Sequence, residues 1–147
     1  MTKKPVSIGI VCLANYCRSP VAEVLLKNKF KNSLKVDSAG IDPMVSAGMD
    51  SRSIEYLKEK NKIFEIHNPK KIDKAFLDSS DLILAMDTFV LMSLNKSFGG
   101  YKNKFKLFSF QHRNIHIKDP YRLSKENYKC VMEEINFVVD RFDLEEL

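Results

Sequence analysis

The chain has 147 residues, 44% of them hydrophobic, which is enough apolar material for one compact domain with a sizeable core and too little length for a second. Its 24 basic and 19 acidic side chains leave a net charge of +5; the lysines are spread along the chain without interleaved aromatics, which argues against a nucleic-acid surface and leaves only a mild preference for anionic partners. No stretch is apolar for long enough to span a bilayer, Met1-Thr2-Lys3-Lys4 does not open an export signal, and an odd set of 3 cysteines suits a reducing compartment, so a cytoplasmic protein is expected.

Val6 to Val11 is apolar and β-branched or small, the composition of a buried central strand in a parallel sheet. It runs into Cys12-Leu13-Ala14-Asn15-Tyr16-Cys17-Arg18-Ser19-Pro20. A short loop between strand and helix can turn its backbone N–H groups inward, the helix adds its positive end, and Arg18 offers a planar fork for two phosphate oxygens. Such a loop suits an anionic sulfur nucleophile, which makes Cys12 the candidate. Ser19 is placed to cap the helix, and Pro20 suits its first turn because the N–H it lacks would go unpaired there. From Pro20 to about Phe30, Val21, Val24, Leu25 and Leu26 fall near one face and lysines crowd the end, where positive charge suits the helix dipole.

Leu34 to Ala39 alternates and breaks at Gly40, predicting a second strand and a loop carrying Asp42, Pro43, Met44 and Gly48. Loops that leave the carboxyl ends of strands form the binding crevice of an open α/β sheet, which brings Ser38 close to the Cys12 loop. Asp50 or Ser51 caps a helix through Ile54 and Leu57 that ends near Asn61; Ile63 to Lys71, with His67, is a connection; a short helix covers about Asp73 to Asp78. Asp81 to Met86 reads as a buried strand that passes through Asp87 into a helix with Phe89, Val90, Leu91 and Leu94. Asn95 to Lys104, with Gly99-Gly100, is expected to be a mobile surface loop. Phe105 to Phe110 forms the last strand, and after Asp119-Pro120-Tyr121 a helix capped by Ser124 carries Tyr128, Val131, Met132, Ile135, Val138, Val139 and Phe142 in steps of three and four. Cys130 lies on the flank of that pattern and reads as structural. Alternating strands and helices with short links imply a parallel sheet covered on both sides.

The stretch Cys12 to Pro20 resembles the signature loop of the low-molecular-weight protein tyrosine phosphatases, Cys-Leu-Gly-Asn-Ile-Cys-Arg-Ser-Pro, departing from it at Ala14 and Tyr16. The resemblance extends loosely over nearly the whole chain, with a second match at Asp119-Pro120-Tyr121 before the final long helix. It implies an α/β fold with a four-stranded parallel sheet of order 2-1-3-4, helices on both faces, and one domain over residues 1–147.

What it implies for the site is a protein tyrosine phosphatase acting through a phosphocysteine. Cys12 is then the nucleophile, Arg18 and the loop amides hold the phosphate, and Asp119 is first general acid and then general base. Leu13, Ala14, Asn15, Tyr16, Cys17, Ser19 and Tyr121 line or bind the substrate, with Leu13, Tyr16 and Tyr121 as walls, while Ser38 and His67 support the loop. No metal and no cofactor are implied, and the histidines and cysteines have no zinc-like spacing. The partners implied are tyrosine-phosphorylated proteins, with the protein itself a monomer or weakly self-associating.

Several of these residues carry plainer readings alongside. Asp119 also fits an ordinary Asp-Pro turn, His67 a surface residue, and Asp87 either a helix cap or a position near the pocket. Cys17 is either filler between loop and helix or a partner that protects Cys12 from irreversible oxidation through a reversible disulfide. Ala14 constrains the backbone if that position needs an unusual torsion. Tyr16 alters the entrance, Met44 replaces an entrance aromatic, Val90 a frequent asparagine and Arg122 a second tyrosine. A phosphoarginine phosphatase, a thiol-dependent arsenate reductase and a non-catalytic phosphotyrosine-binding relative are the alternatives. The bulk of Tyr16 opposes the first, the lack of cysteines from Asp87 to Lys104 the second, and the presence of Cys12, Arg18 and Asp119 together the third.

Overall fold

In the computed structural model, which describes residues 6–147, the strands are β1 (Val6–Cys12), β2 (Leu34–Gly40), β3 (Leu82–Ala85) and β4 (Phe105–Leu107). All pairings are parallel and the order is β2-β1-β3-β4, the predicted topology. The α-helices among the described residues are α1 (Arg18–Phe30), α2 (Ser51–Glu59), α3 (Lys74–Ser79), α4 (Thr88–Ser97) and α5 (Lys125–Asp140). The expectation for Met1 to Lys4 lies outside the described residues.

The side-chain alternation of β1 divides the interior into two layers. Ile8, Ile10 and Cys12 join a core with Val21, Leu25 and Leu26 of α1, Leu57 of α2 and Met132, Ile135 and Val139 of α5. Val11 on the opposite face joins Ile83 and Ala85 of β3, Phe76 and Leu77 of α3, and Val90 and Leu94 of α4. Each such aliphatic side chain contributes about 1.5–3 kcal/mol on burial, so the two layers hold the sheet between them. Gly9 leaves room for the second layer to close onto β1: a Cβ there would lie 2.7 Å from the Phe76 ring and 2.9 Å from Ile83.

Cys12 pairs with Gly40 and Val11 with Ala85, so the carboxyl ends of β1, β2 and β3 finish together. The order switches around β1, where a doubly wound sheet opens its crevice. The side chains of Asp50, Asp73, Asp87 and Ser124 cap α2, α3, α4 and α5 by accepting from the N–H of Arg52, Phe76, Val90 and Asn127.

The structure corrects four expectations. Ser19 does not cap α1: the helix starts at Arg18, Cys17 holds the cap position without a side-chain bond, and the Ser19 hydroxyl turns toward Cys12 instead. Asn95 to Lys104 is not a free loop, because α4 runs on to Ser97 and a 3-10 turn over Gly99–Lys104 follows. That turn is tied down by Lys104 Nζ donating to the Leu77 and Ser80 carbonyls and by the Tyr101 hydroxyl donating to Asp78. β4 stops at Leu107, since Phe110 N–H folds back onto the Leu107 carbonyl and Ser109 bonds both ways with Ile115. Cys130 is exposed rather than structural.

Candidate active site

The loop between β1 and α1 owes its shape to what its carbonyls do. Cys12, Leu13 and Ala14 accept from the N–H groups of Ile41, Asp42 and Met44, and Tyr16 from that of Asp50. Asn15 accepts from His67 Nε2 at 2.7 Å and Cys17 from the Ser53 hydroxyl at 3.0 Å. Consecutive carbonyls thus all point out of the loop, and in a trans peptide the N–H points the other way. The amides therefore converge inward as a nest for an anion, with Asn15 N–H 3.2 Å from Cys12 Sγ. The segment from Ile41 to Met44 prolongs the pairing of β2 with β1 alongside the loop and supplies three of these six outer donors.

Asn15 is buried and left-handed, at φ 50°, a conformation asparagine tolerates better than most residues. Its Nδ2 donates to Ser19 Oγ at 2.8 Å and to Ser38 Oγ at 3.0 Å, while its Oδ1 accepts from Lys70 N–H at 3.0 Å. Ser38 in turn donates to Glu23. Because Ser19 Oγ accepts from Asn15, its own proton is available for Cys12 Sγ, 2.9 Å away. Ser38 and His67 therefore sit against the loop, joined to it through Asn15, and Cys17 is buried beneath it.

Arg18, 2% exposed, is held edge-on: Nη1 donates to Asp87 at 2.6 Å and to the Ile117 carbonyl at 2.7 Å, and Nη2 faces Asp119 Oδ2 at 3.9 Å. Asp87 is both the cap of α4 and the carboxylate that holds Arg18 beside the pocket. A buried arginine that lacked these partners would carry a large desolvation penalty. Asp119 likewise does two things, for its Oδ1 accepts from Tyr121 N–H at 3.1 Å as in an ordinary Asx turn while its Oδ2 turns to the cleft. The cleft, of about 270 Å³, is lined by Cys12, Leu13, Ala14, Tyr16, Cys17 and Arg18 from the loop, Asp42, Pro43 and Met44 from the segment after β2, and Asp119 and Tyr121. Tyr16 and Tyr121 meet edge to face with ring centres 6.1 Å apart and form its wall.

Beneath the wall, Asp50 pairs with Arg52 and accepts weakly from the Cys17 thiol at 3.8 Å. Burial by itself would raise the Asp50 carboxyl, but the hydrogen bonds and charge of Arg52 outweigh it and hold the carboxyl below its usual range. Burial, with the carboxylate of Asp50 alongside, pushes the Cys17 thiol up to about 12. Asp42, Pro43, Asp50, Arg52 and Glu23 did not stand out in the sequence as site residues. Only the proximity of the loop after β2 to the strand ends pointed toward Asp42 and Pro43.

The sequence model of the low molecular weight phosphotyrosine protein phosphatase family matches residues 7–146. The chain belongs to this family. Its similarity to the low molecular weight protein-tyrosine-phosphatase Wzb of Escherichia coli K12 is 34% identity over 125 residues, 85% of this chain and 84% of that protein. The crystal structure of the low molecular weight protein tyrosine phosphatase from T. tengcongensis superposes with a TM-score of 0.89 at 28% identity, covering 97% of this chain and 99% of that one. The YwlE arginine phosphatase from Geobacillus stearothermophilus superposes with a TM-score of 0.87, also at 28% identity, covering 93% and 90%. Membership makes this protein a phosphatase, and the two structures together leave the phosphorylated side chain it takes to be argued from the cleft. Among the described residues no helix is long and apolar enough to cross a membrane.

Proposed function

We propose that this phosphatase hydrolyses phosphotyrosine in proteins through a phosphocysteine on Cys12. The observation that carries this reading is the ring of outward carbonyls from Cys12 to Cys17, which turns the amides of one loop toward a single sulfur. In the first displacement the Cys12 thiolate attacks phosphorus, the bond from phosphorus to the phenolic oxygen breaks, and the Asp119 carboxyl gives its proton to that oxygen. The inward amides and the Nη2 side of Arg18 hold the equatorial oxygens as charge redistributes. In the second, the Asp119 carboxylate takes a proton from water, the water oxygen bonds to phosphorus, and the sulfur leaves as phosphate is released. Ser19, donating to the sulfur at 2.9 Å, stabilises it as attacking and as leaving thiolate.

Leu13, Tyr16 and Tyr121 suit a flat aromatic ring held end-on, whereas the phosphate of phosphoserine, on a shorter stem, does not reach the floor. A second reading, phosphoarginine, is favoured by the likeness to the arginine phosphatase and by two carboxylates, Asp42 and Asp119, lining the cleft where a guanidinium would lie; the bulk of Tyr16 opposes it. On the same reading residues 1–147 are one cytoplasmic domain, monomeric or weakly self-associating, whose partners are tyrosine-phosphorylated proteins.

The test is phosphate release from matched phosphotyrosine, phosphoserine and phosphoarginine peptides in the presence of chelator. Rapid release from phosphotyrosine is expected, abolished in Cys12→Ser and slowed by about 10²–10⁴ in Asp119→Ala, the usual worth of general acid–base catalysis. Faster release from phosphoarginine would replace the substrate assignment, and tight binding of phosphopeptide without release would leave a binding relative.

A further inference from the structure

The segment that carries Asp119 is fastened to the rest of the molecule in an unusually narrow way. Within it, Tyr121 N–H turns back to Asp119 and Leu123 N–H to the Pro120 carbonyl. Among the described residues, the hydrogen bonds that tie residues 119–123 to another part of the chain come from one side chain, Arg52 at the start of α2: Nη1 donates to the Leu123 carbonyl at 3.2 Å and Nη2 to the Tyr121 carbonyl at 3.0 Å.

The other edge of the same guanidinium grips Asp50, with Nε on Oδ1 at 3.0 Å and Nη2 on Oδ2 at 2.9 Å. Its plane lies over the Tyr128 ring at 4.0 Å. Asp50 is itself part of the phosphate-loop scaffold, since its N–H donates to the Tyr16 carbonyl. An unbroken path thus runs from Tyr16 through Asp50 and Arg52 to Tyr121 and Leu123, and the contact between the Tyr16 and Tyr121 rings closes it.

We propose that Arg52 is a positioning residue for the acid step: it sets the distance between the Cys12 loop and the Asp119 segment, and so holds the Asp119 carboxyl where the departing oxygen needs its proton. The proposal rests on the reading of Asp119 as general acid. Only a guanidinium fits the place, because the task needs donors in several directions from one plane stacked on a ring; lysine supplies a point charge without the fork.

The test compares kcat/KM for two esters, p-nitrophenyl phosphate, whose leaving group departs without help, and phenyl phosphate, whose leaving group needs the proton. Asp119→Ala is the reference variant and is expected to lose much more on phenyl phosphate. Arg52→Met is expected to show the same selective loss, raising the ratio of nitrophenyl to phenyl kcat/KM by about tenfold or more, since small misplacements of reacting groups carry losses of that order. Arg52→Lys is expected not to restore the ratio. A merely structural role lowers both esters together, so an unchanged ratio in Arg52→Met beside a raised one in Asp119→Ala overturns the proposal. An unchanged ratio in Asp119→Ala overturns the acid reading itself and the proposal with it. Should Arg52→Met fail to fold, Arg52→Lys carries the test, with a raised ratio supporting the proposal and an unchanged one overturning it.

Discussion

Ala14 and Asn15 divide the backbone work of the phosphate loop between them. Ala14 replaces the glycine that the resemblance in sequence led one to expect, yet the left-handed residue of this loop is Asn15, whose side chain is fully engaged in holding that conformation. The glycine that the loop does require lies on the neighbouring strand. A Cβ on Gly40 would come within 2.9 Å of Asn15 N and Leu13 O and 3.1 Å of the Ala14 carbonyl carbon, all backbone atoms that cannot rotate aside. Gly40→Ala is therefore expected to push the loop outward and to lower kcat/KM about tenfold or more. Phosphate-protected thermal melts beside steady-state kinetics check this, and a variant with wild-type activity would show that the loop yields without losing its geometry.

At the scale of elements, α5 illustrates how a periodic pattern becomes a layer. Tyr128, Val131, Met132, Ile135, Val138 and Val139 are all buried on one face, as steps of three and four require. Ile135, with no exposed surface at all, lies in the core that α5 shares with β1, α1 and α2, and Ile135→Ala is expected to cost roughly 2–5 kcal/mol. The cap residue Ser124, at the exposed start, is expected to cost only about 1 kcal/mol as Ser124→Ala. Urea unfolding of both variants measures the contrast, and equal losses would mean that the helix is held by its start rather than by its face. The elements that sequence patterns misjudged, β4 and the stretch from Asn95 to Lys104, are those whose fate depends on distant partners: Lys104 reaches α3, and Ser109 closes a turn that an alternating pattern cannot reveal.

For the molecule as a whole, the charge pair beneath the cleft predicts how stability responds to acid. The Asp50 carboxyl is held below its ordinary value of 3.8. A group whose folded value is depressed contributes stability that is fully present above the unfolded value and is lost as pH falls through the folded one. Asp50→Asn keeps a good cap but removes this charge. Its unfolding free energy is therefore expected to fall less steeply than that of the wild type below about pH 4. Urea titrations across the acid range decide it, with parallel curves for the two proteins counting against a contribution from Asp50.

The sequence by itself determined the alternation of strands and helices, the loop that follows the first strand and the family to which the chain belongs, because periodicity, cap residues and the spacing from Cys12 to Pro20 are local properties of the chain. It also singled out Cys12, Arg18 and Asp119 by motif. Only the tertiary structure decided how these are held. Asp87 on Arg18, Arg52 on the Asp119 segment and Gly40 against the loop are contacts between residues far apart in the chain. The parallel crossovers bring those residues to the same ends of β1, β2 and β3, a convergence that no local pattern records.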